Sequence, residues 1–300
     1  MRTAFAKTLL ILAKKDKRIM LLTGDLGYSV FEEFQRECPK QYINCGVAEQ
    51  NMTGVAAGLA LEGYRPCIYS IIPFISMRNF EQIRNDICYQ NLNVKIVGVG
   101  SGFTYGPYGH THHALEDIGI LRTISNIVIM APGDPVEAEL ATKAAFSYKG
   151  PVYIRLGRNG EPVIHTKKPK FTIGRGIVIK DGTDATIIAT SNMLDSAVKV
   201  AQGVMKSVRL ISMPTIKPID AELVRDSIHK TRAIVTIEEH SIIGGLGSAV
   251  AEVIAESGGG IPFQRIAVPD RFTKTIGTQE FMRDANGLGI EQIVKKIENI

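Results

Sequence analysis

Short apolar runs rich in β-branched residues alternate with segments of helical periodicity along most of the chain. The runs are apolar on both faces, as parallel strands covered by helices on both sides must be. Those before residue 158 are RIMLLTGD, NVKIVGVG, NIVIMAPGD and PVYIRLG, and those after residue 176 are DATIIATS, VRLISMPT, RAIVTIEE and QRIAVPD. Between them, VEAELATKAAF and DSAVKVAQGVM place apolar residues three and four positions apart, as amphipathic helices do. The pattern predicts an α/β fold of two doubly wound domains with mostly parallel sheets.

The alternation breaks once, between about Arg158 and Gly176, where the chain is rich in Gly, Pro and Lys and lacks a helical period. We interpret this stretch as an interdomain linker. The sequence thus predicts a first domain over residues 1–160, a linker over 161–176 and a second domain over 177–300. A chain of 300 residues, 45% of them hydrophobic, is long enough to bury two such cores.

Composition and charge argue against several classes of protein. The net charge of +5 is modest, and the small basic groups around Lys15 and Lys168 are not interleaved with aromatic residues, so no nucleic-acid partner is expected. The four cysteines are far apart and form no CxxC pair, which favours a reducing compartment. No apolar run reaches the length that crosses a bilayer, and no cleavable leader is recognisable. These features predict a cytoplasmic protein without a membrane contact.

One acidic residue stands where an α/β sheet binds its ligands. In QYINCGVAEQNMTGVAAGLALEG a short strand reaches Gly46, and a helix with one apolar face follows and is ended by Gly63. Glu49 lies in the first turn of that helix, just beyond the carboxyl end of the strand, where open sheets place ligands. A carboxylate in a first turn could equally serve only to complement the helix dipole.

A second candidate is the glycine-rich loop GSGFTYGPYGHTHHALEDIGILR, which leads into a helix predicted to begin near Ala114. Polar loops that follow a buried strand often carry function. Its histidines His110, His112 and His113 could suggest a metal ion, but no acidic or cysteine side chains accompany them at a metal-site spacing. We therefore predict no metal site in this chain.

Five segments in order along the chain resemble the transketolase family, in particular the C-terminal subunits of its split-gene members. They are GVAEQNM, the Phe74-containing segment leading to EQIRN, THHALEDIGILR, KPID and EEHSIIGGLGS. The resemblance spans nearly the whole chain and implies a pyrimidine-binding domain followed by a transketolase C-terminal domain. The β subunits of 2-oxo acid dehydrogenases and deoxyxylulose-phosphate synthase look similar at lower detail and remain alternatives. A scaffolding subunit that keeps the fold without the chemistry is a further one.

The resemblance implies a site for thiamine diphosphate. Glu49 matches the glutamate that hydrogen-bonds the pyrimidine ring and promotes loss of the thiazolium proton, which creates the carbanion nucleophile. This carboxyl group must hold or share a proton, so burial has to outweigh a helix dipole that favours ionisation. Phe74 matches an aromatic residue that stacks on the pyrimidine. Asp25 matches an aspartate bordering the cofactor, although it could equally cap the turn after its strand.

The resemblance also implies residues that contact a sugar phosphate. Arg2, Ser29 and Arg158 match positions at the phosphate end, where the arginine fork suits the anion, and His112 matches a histidine near the reacting carbonyl. Arg158 could instead form a linker salt bridge, and Arg2 could lie in a disordered terminus. Two residues depart from the family pattern. Tyr108 replaces an acid that reads a sugar hydroxyl and His110 replaces a proline, which suggests an unusual acceptor sugar.

The half that grips the diphosphate is expected on another polypeptide. In the family a GDG motif and a later asparagine bind Mg²⁺ or Ca²⁺, which holds the diphosphate. Asp25 and Asn51 have a similar spacing, but Leu26 stands in place of the second glycine and Asn51 falls in the helix of Glu49. We therefore expect a partner N-terminal subunit, an α2β2 heterotetramer, and transfer of a two-carbon ketol unit between sugar phosphates.

Overall fold

A computed structural model describes residues 1–158 and 160–300. The strands are β1 (Ile19–Thr23), β2 (Tyr42–Asn44), β3 (Arg65–Ile71), β4 (Lys95–Val99), β5 (Val128–Met130), β6 (Val152–Leu156), β7 (Ile177–Lys180), β8 (Ala185–Ala189), β9 (Val208–Ser212), β10 (Thr215–Lys217), β11 (Ile234–Ser241) and β12 (Phe263–Val268). The helices are α1 (Arg2–Lys15), α2 (Glu32–Glu37), α3 (Glu49–Leu61), α4 (Ile72–Ser76), α5 (Phe80–Gln82), α6 (Asp117–Arg122), α7 (Pro135–Ser147), α8 (Leu194–Gly203), α9 (Ala221–Lys230), α10 (Leu246–Glu256), α11 (Gln279–Ala285) and α12 (Ile290–Glu298). A π-helical turn over Ile83–Cys88 continues α5.

Two sheets organise these elements. The first has the order β10-β5-β6-β4-β3-β1-β2, in which every pair is parallel except β10 with β5. The second has the order β12-β11-β8-β9-β7, in which only β7 runs antiparallel to its neighbour. Their central strands are buried along their whole length, because helices cover both faces. The predicted α/β class with two mostly parallel sheets is confirmed.

The segment between the two sheets has no regular structure but is fixed to the first domain. Residues 160–176 contain no helix or strand, and Asn159, part of the stretch that we interpret as a linker, lies outside the described residues. The amides of Ile164 and His165 donate to Asp134 Oδ2 at 2.9 and 3.0 Å, at the N-terminus of α7. The His165 ring contacts Glu137 at 2.7 Å. The division at 161–176 stays a prediction, since β10 of the later part belongs to the first sheet.

The first domain fills the crevice in which the second sheet would otherwise bind a ligand. Strand order reverses between β8 and β11, and such a switch point is the usual ligand crevice of an open sheet. Here the buried Arg155 of β6 donates to Ser191 Oγ at 3.1 Å and to the Glu239 carbonyl at 3.0 Å. Gly102 lies so close that a Cβ there would stand 2.4 Å from Glu239. The second domain therefore supports the loop between β4 and α6, which carries the histidines.

No helix in the described ranges, 1–158 and 160–300, is long and apolar enough to cross a membrane.

Candidate functional site

Glu49 is the first residue of α3, and its side chain turns inward at the carboxyl edge of the first sheet. The residue is 1% exposed. A Cβ added to Gly24, which follows β1, would lie 3.4 Å from Glu49 Oε1, so a larger side chain at this position would crowd the carboxylate. The helix ends as its sequence predicts, because Gly63 adopts a φ of 85° just after it. The predicted burial of this carboxyl group is therefore present.

Both oxygens of the Glu49 carboxylate have hydrogen-bond donors. Ser70 of β3 donates its Oγ–H to Oε1 at 2.9 Å, and Arg78 donates from Nη1 to Oε2 at 2.6 Å. Burial of a carboxylate is tolerated when a cation pairs with it, and Arg78 supplies that cation here. The family resemblance implies a carboxyl group that keeps a proton, whereas this arrangement stabilises the ionised form.

Sequence reasoning missed both Ser70 and Arg78. Ser70 is a polar residue within the otherwise apolar run CIYSI, and that interruption was an available signal. Arg78 lies four residues after Phe74, close enough along the chain to reach the same ring. That its guanidinium would turn back toward Glu49, 29 residues away in sequence, has no local signature.

Phe74 and His112 join this carboxylate into one site. Arg78 Cζ lies 4.5 Å from the centroid of the Phe74 ring, on the side chain that sequence reasoning assigned to cofactor stacking. The His112 ring meets Phe74 edge to face, with centroids 5.2 Å apart. The structure thus places Glu49, Arg78, Phe74 and His112 in a continuous run from a buried carboxylate to the loop.

The histidine loop separates its three imidazoles. His112 lies against Tyr108, with centroids 5.3 Å apart, and Tyr108 is 64% exposed at the mouth of the site. His113 points the opposite way and packs on Phe103 at 5.1 Å, where burial lowers its pKa. His110 instead contacts Phe272 of the second domain at 5.1 Å. Only His112 of the three therefore contacts Phe74.

The predicted helix start at Ala114 is wrong, because α6 begins at Asp117. Ala114 and Gly102 exchange two backbone hydrogen bonds of 3.0 and 3.1 Å in an isolated antiparallel bridge. This bridge holds the end of the loop extended. Its partner lies twelve residues back, so the helical pattern of the sequence could not reveal it.

The arginines assigned to phosphate lie on the far side of the same loop. Arg158 Cζ is 5.6 Å from the Tyr105 ring centroid, and Tyr105 in turn lies 6.4 Å from the His112 ring. The Arg2 amide donates to the Arg158 carbonyl at 3.2 Å. Arg2 belongs to α1, and the ammonium of Met1 pairs with Glu161 at 2.6 Å, so this end of the chain is anchored rather than disordered. Within the described residues Arg158 forms no salt bridge.

Asp25 and Ser29 are placed differently from these arginines. Asp25 has a φ of 56°, its amide donates to Asn44 Oδ1 at 3.0 Å, and its carboxylate accepts from Asn44 and Tyr28 at 3.0 and 3.1 Å. These contacts fit the turn-capping alternative, next to Gly24 and the buried carboxylate. Ser29 donates its amide to Glu32 and lines a separate cavity of about 400 Å³ between α1 and α2. Backbone turns with positive φ at both residues direct Ser29 there.

The residues present fit one end of thiamine diphosphate. The buried carboxylate of Glu49 beside the aromatic face of Phe74 suits a planar ring that offers N–H groups and a π surface. Across residues 1–158 and 160–300, no three His, Cys, Asp or Glu side chains converge as metal ligands would. The described part of this chain thus offers a pyrimidine site and no cluster that would hold a metal and its diphosphate.

Comparisons with known proteins agree with this geometry. Residues 1–161 match the family model of the transketolase pyrimidine binding domain, and residues 174–293 match that of the transketolase C-terminal domain. One of the two subunits of an apulose-4-phosphate transketolase from Actinobacillus succinogenes is 38% identical over 87% of this chain and 85% of its own length. A 6-deoxy-6-sulfo-D-fructose transketolase subunit from Clostridium sp. (strain MSTE9) is 36% identical over 100% of this chain and 94% of its own.

A solved structure is similar over almost its full length. It is a split gene transketolase in the form of an inactive beta4 tetramer, with a TM-score of 0.89, 38% identity, and coverage of 99% of this chain and 96% of that one. The resemblance and the fold class that the sequence indicated are both confirmed. The chain belongs to the transketolase family, of which it carries the pyrimidine-binding and C-terminal domains.

Proposed function

We propose that this chain is the C-terminal subunit of a split, thiamine-diphosphate-dependent transketolase, which transfers a two-carbon ketol unit between sugar phosphates. The observation that carries the proposal is the buried Glu49 carboxylate lying next to Phe74 and within one ring of His112. The relatives named as transketolase subunits support the same reaction class. The family itself depends on thiamine diphosphate.

Each residue of the site has a defined task in this proposal. Thiamine diphosphate, when bound, supplies the carbon nucleophile. Glu49 holds and returns a proton at the pyrimidine ring, and Ser70 fixes the orientation of its carboxylate through the 2.9 Å hydrogen bond. Phe74 supports the ring by stacking, and Gly24 leaves room beside the carboxylate.

Substrate recognition is assigned to the loop and the arginines. His112, which is partly exposed at the mouth, moves protons on substrate oxygens near the reacting carbonyl. Arg158 is exposed beside Tyr105 and, with Arg2, binds the phosphate end through bidentate hydrogen bonds. Tyr108 and His110 are the residues through which the acceptor sugar is selected.

A second polypeptide completes the enzyme in this proposal. We assign the diphosphate and its Mg²⁺ or Ca²⁺ to an N-terminal subunit, because no metal-ligand cluster occurs in the described part of this chain. Two such pairs would form an α2β2 heterotetramer about a twofold axis in the cytoplasm. The names of the relatives, which are subunits themselves, support a divided enzyme.

The test combines this chain with its N-terminal partner, thiamine diphosphate and Mg²⁺. We expect a ketose phosphate and an aldose phosphate to exchange a two-carbon unit, detected by mass spectrometry, only when both subunits are present. Pyruvate decarboxylation without an aldose would instead indicate a 2-oxo acid dehydrogenase subunit. Formation of deoxyxylulose phosphate from pyruvate and glyceraldehyde 3-phosphate would indicate the synthase. Absence of cofactor binding in the mixture would support a scaffolding role and refute the proposal.

A further inference from the structure

Arg78 contacts the two groups of this chain that a bound aminopyrimidine would need. Its Nη1 lies 2.6 Å from Glu49 Oε2, and its Cζ lies 4.5 Å from the centroid of the Phe74 ring. We propose that Arg78 is a displaceable plug of the cofactor site, which occupies the place of the pyrimidine until the cofactor and partner subunit arrive. This inference rests on the proposed function, since it assumes that thiamine diphosphate binds here.

The chemistry of the guanidinium explains why it fits this place. A guanidinium is planar, carries several N–H donors at its edge, and stacks on aromatic faces. An aminopyrimidine is also planar, donates N–H groups at its edge and has a π face. Both can therefore donate to Glu49 while lying on Phe74, and the same two protein groups would bind either one.

The two cannot occupy the site together. Glu49 is 1% exposed, and its Oε1 already accepts from Ser70, which is itself buried in β3. Oε2 is the remaining oxygen, and Arg78 holds it at 2.6 Å. An incoming ring that donates to Glu49 and stacks on Phe74 must therefore displace the guanidinium from both contacts.

The position of Arg78 in the fold allows it to leave. It follows the end of α4, and its side chain is 42% exposed while that of Glu49 is 1% exposed. Rotation about its side-chain bonds can carry the charged end into solvent without unfolding buried structure. Arg78 is therefore the movable member of the pair and Glu49 the fixed one.

Departure of Arg78 would also change the protonation chemistry of Glu49. A buried carboxylate without its cation is strongly disfavoured, so removing the guanidinium favours a carboxyl group that takes or shares a proton. Sharing a proton with the ring is the task assigned to Glu49 above. The pair thus keeps Glu49 ionised and occupied in the separate subunit, and displacement prepares it for catalysis.

The test measures cofactor affinity in the assembled complex of both subunits. Thiamine diphosphate with Mg²⁺ is titrated by calorimetry into the parent complex, the Arg78→Met complex and an Arg84→Met control. Arg84 lies on the same stretch of chain, is exposed, and donates to Asn85. Because Arg78→Met removes the competitor, we expect its Kd to fall about tenfold, equivalent to about 1.4 kcal/mol, whereas Arg84→Met leaves it unchanged.

A double-mutant cycle on the separate subunit keeps the inference testable if Arg78→Met assembles poorly. Thermal unfolding of the parent, Glu49→Gln, Arg78→Met and the double variant should show coupling between the two residues in the free subunit. The coupling should vanish in the complex saturated with thiamine diphosphate. Coupling that persists there would overturn the inference.

The outcomes separate this inference from the proposed function. If the parent complex binds thiamine diphosphate and Arg78→Met binds it equally well or more weakly, the plug is refuted while the proposed function stands. Weaker binding would make Arg78 a residue that positions the bound cofactor. If no complex binds the cofactor, both the proposed function and the plug are refuted.

Discussion

Replacing Arg155 with methionine tests whether the contact between the two domains holds the histidine loop in place. The Arg155 side chain is 1% exposed and its partner Asp117, at the start of α6, is fully buried. Arg155 Nε donates to Asp117 Oδ2 at 2.9 Å, and Nη2 donates to the carbonyl of Ala114 at 2.8 Å. Ala114 stands two residues after His112, so the same guanidinium fixes the end of the loop.

The expected magnitude follows from the charge that the substitution strands. Methionine matches the length of the arginine stem but leaves Asp117 buried, with Tyr153 as its remaining donor at 2.8 Å. Breaking one side of a buried ion pair costs about 3–5 kcal/mol. At about 2–4 °C for each kcal/mol in a domain of this size, the melting temperature should fall by roughly 6–20 °C.

The assay is thermal unfolding of the purified chain followed by circular dichroism, with Lys199→Met as the matched control. Lys199 pairs with Asp195 at 2.7 Å on the exposed face of α8, and such i,i+4 pairs contribute about 0.3–0.5 kcal/mol. In the assembled enzyme, Arg155→Met should also lower kcat/KM, because His112 loses the support of its loop. A melting temperature within about 2 °C of the parent would refute the assignment of Arg155 as the support of this contact.

Three further predictions concern the site and its surroundings. Glu49→Gln should abolish ketol transfer while the subunits still assemble, as judged by size-exclusion chromatography, because the amide cannot share the proton; activity near the parent level would remove Glu49 from the mechanism. Tyr108→Ala should raise the KM for the acceptor several-fold and leave the donor KM unchanged, since the ring covers His112; an unaltered acceptor KM would contradict its role. The pairing of His165 with Glu137 makes the docking of the linker pH-dependent. Burial opposes the charged imidazole, but the hydrogen bond and the attraction of Glu137 raise the pKa of His165 above 6.5. Its contribution is complete below pH 6.5 and is lost as the pH rises through the folded-state pKa. The difference in melting temperature between the parent and His165→Gln should therefore shrink with increasing pH, and a difference independent of pH would refute it.

Much of the fold could be predicted from local patterns in the sequence. Apolar runs of strand length predicted β1, β4, β6, β8, β9 and β11, because a strand buried on both faces requires apolar residues throughout. The helix of Glu49 was recognisable from its apolar face and from Gly63, and the linker from its lack of period. The positions of Glu49, Phe74 and His112 followed from the family resemblance, although their roles stay predictions.

The tertiary structure decided the contacts between residues far apart in the chain. The register of β10 against β5 joins an edge strand from the later part to the first sheet, although nothing within TIK distinguishes it from a turn. The bridge of Ala114 with Gly102 overrode a helical pattern, and backbone turns took Ser29 away from the arginines. The pairing of Arg78 with Glu49 depended on α4 bringing its end over the entrance of α3. Hydrophobic periodicity specifies an element and its buried face, whereas the partner of a buried charge is fixed only when packing brings distant elements together.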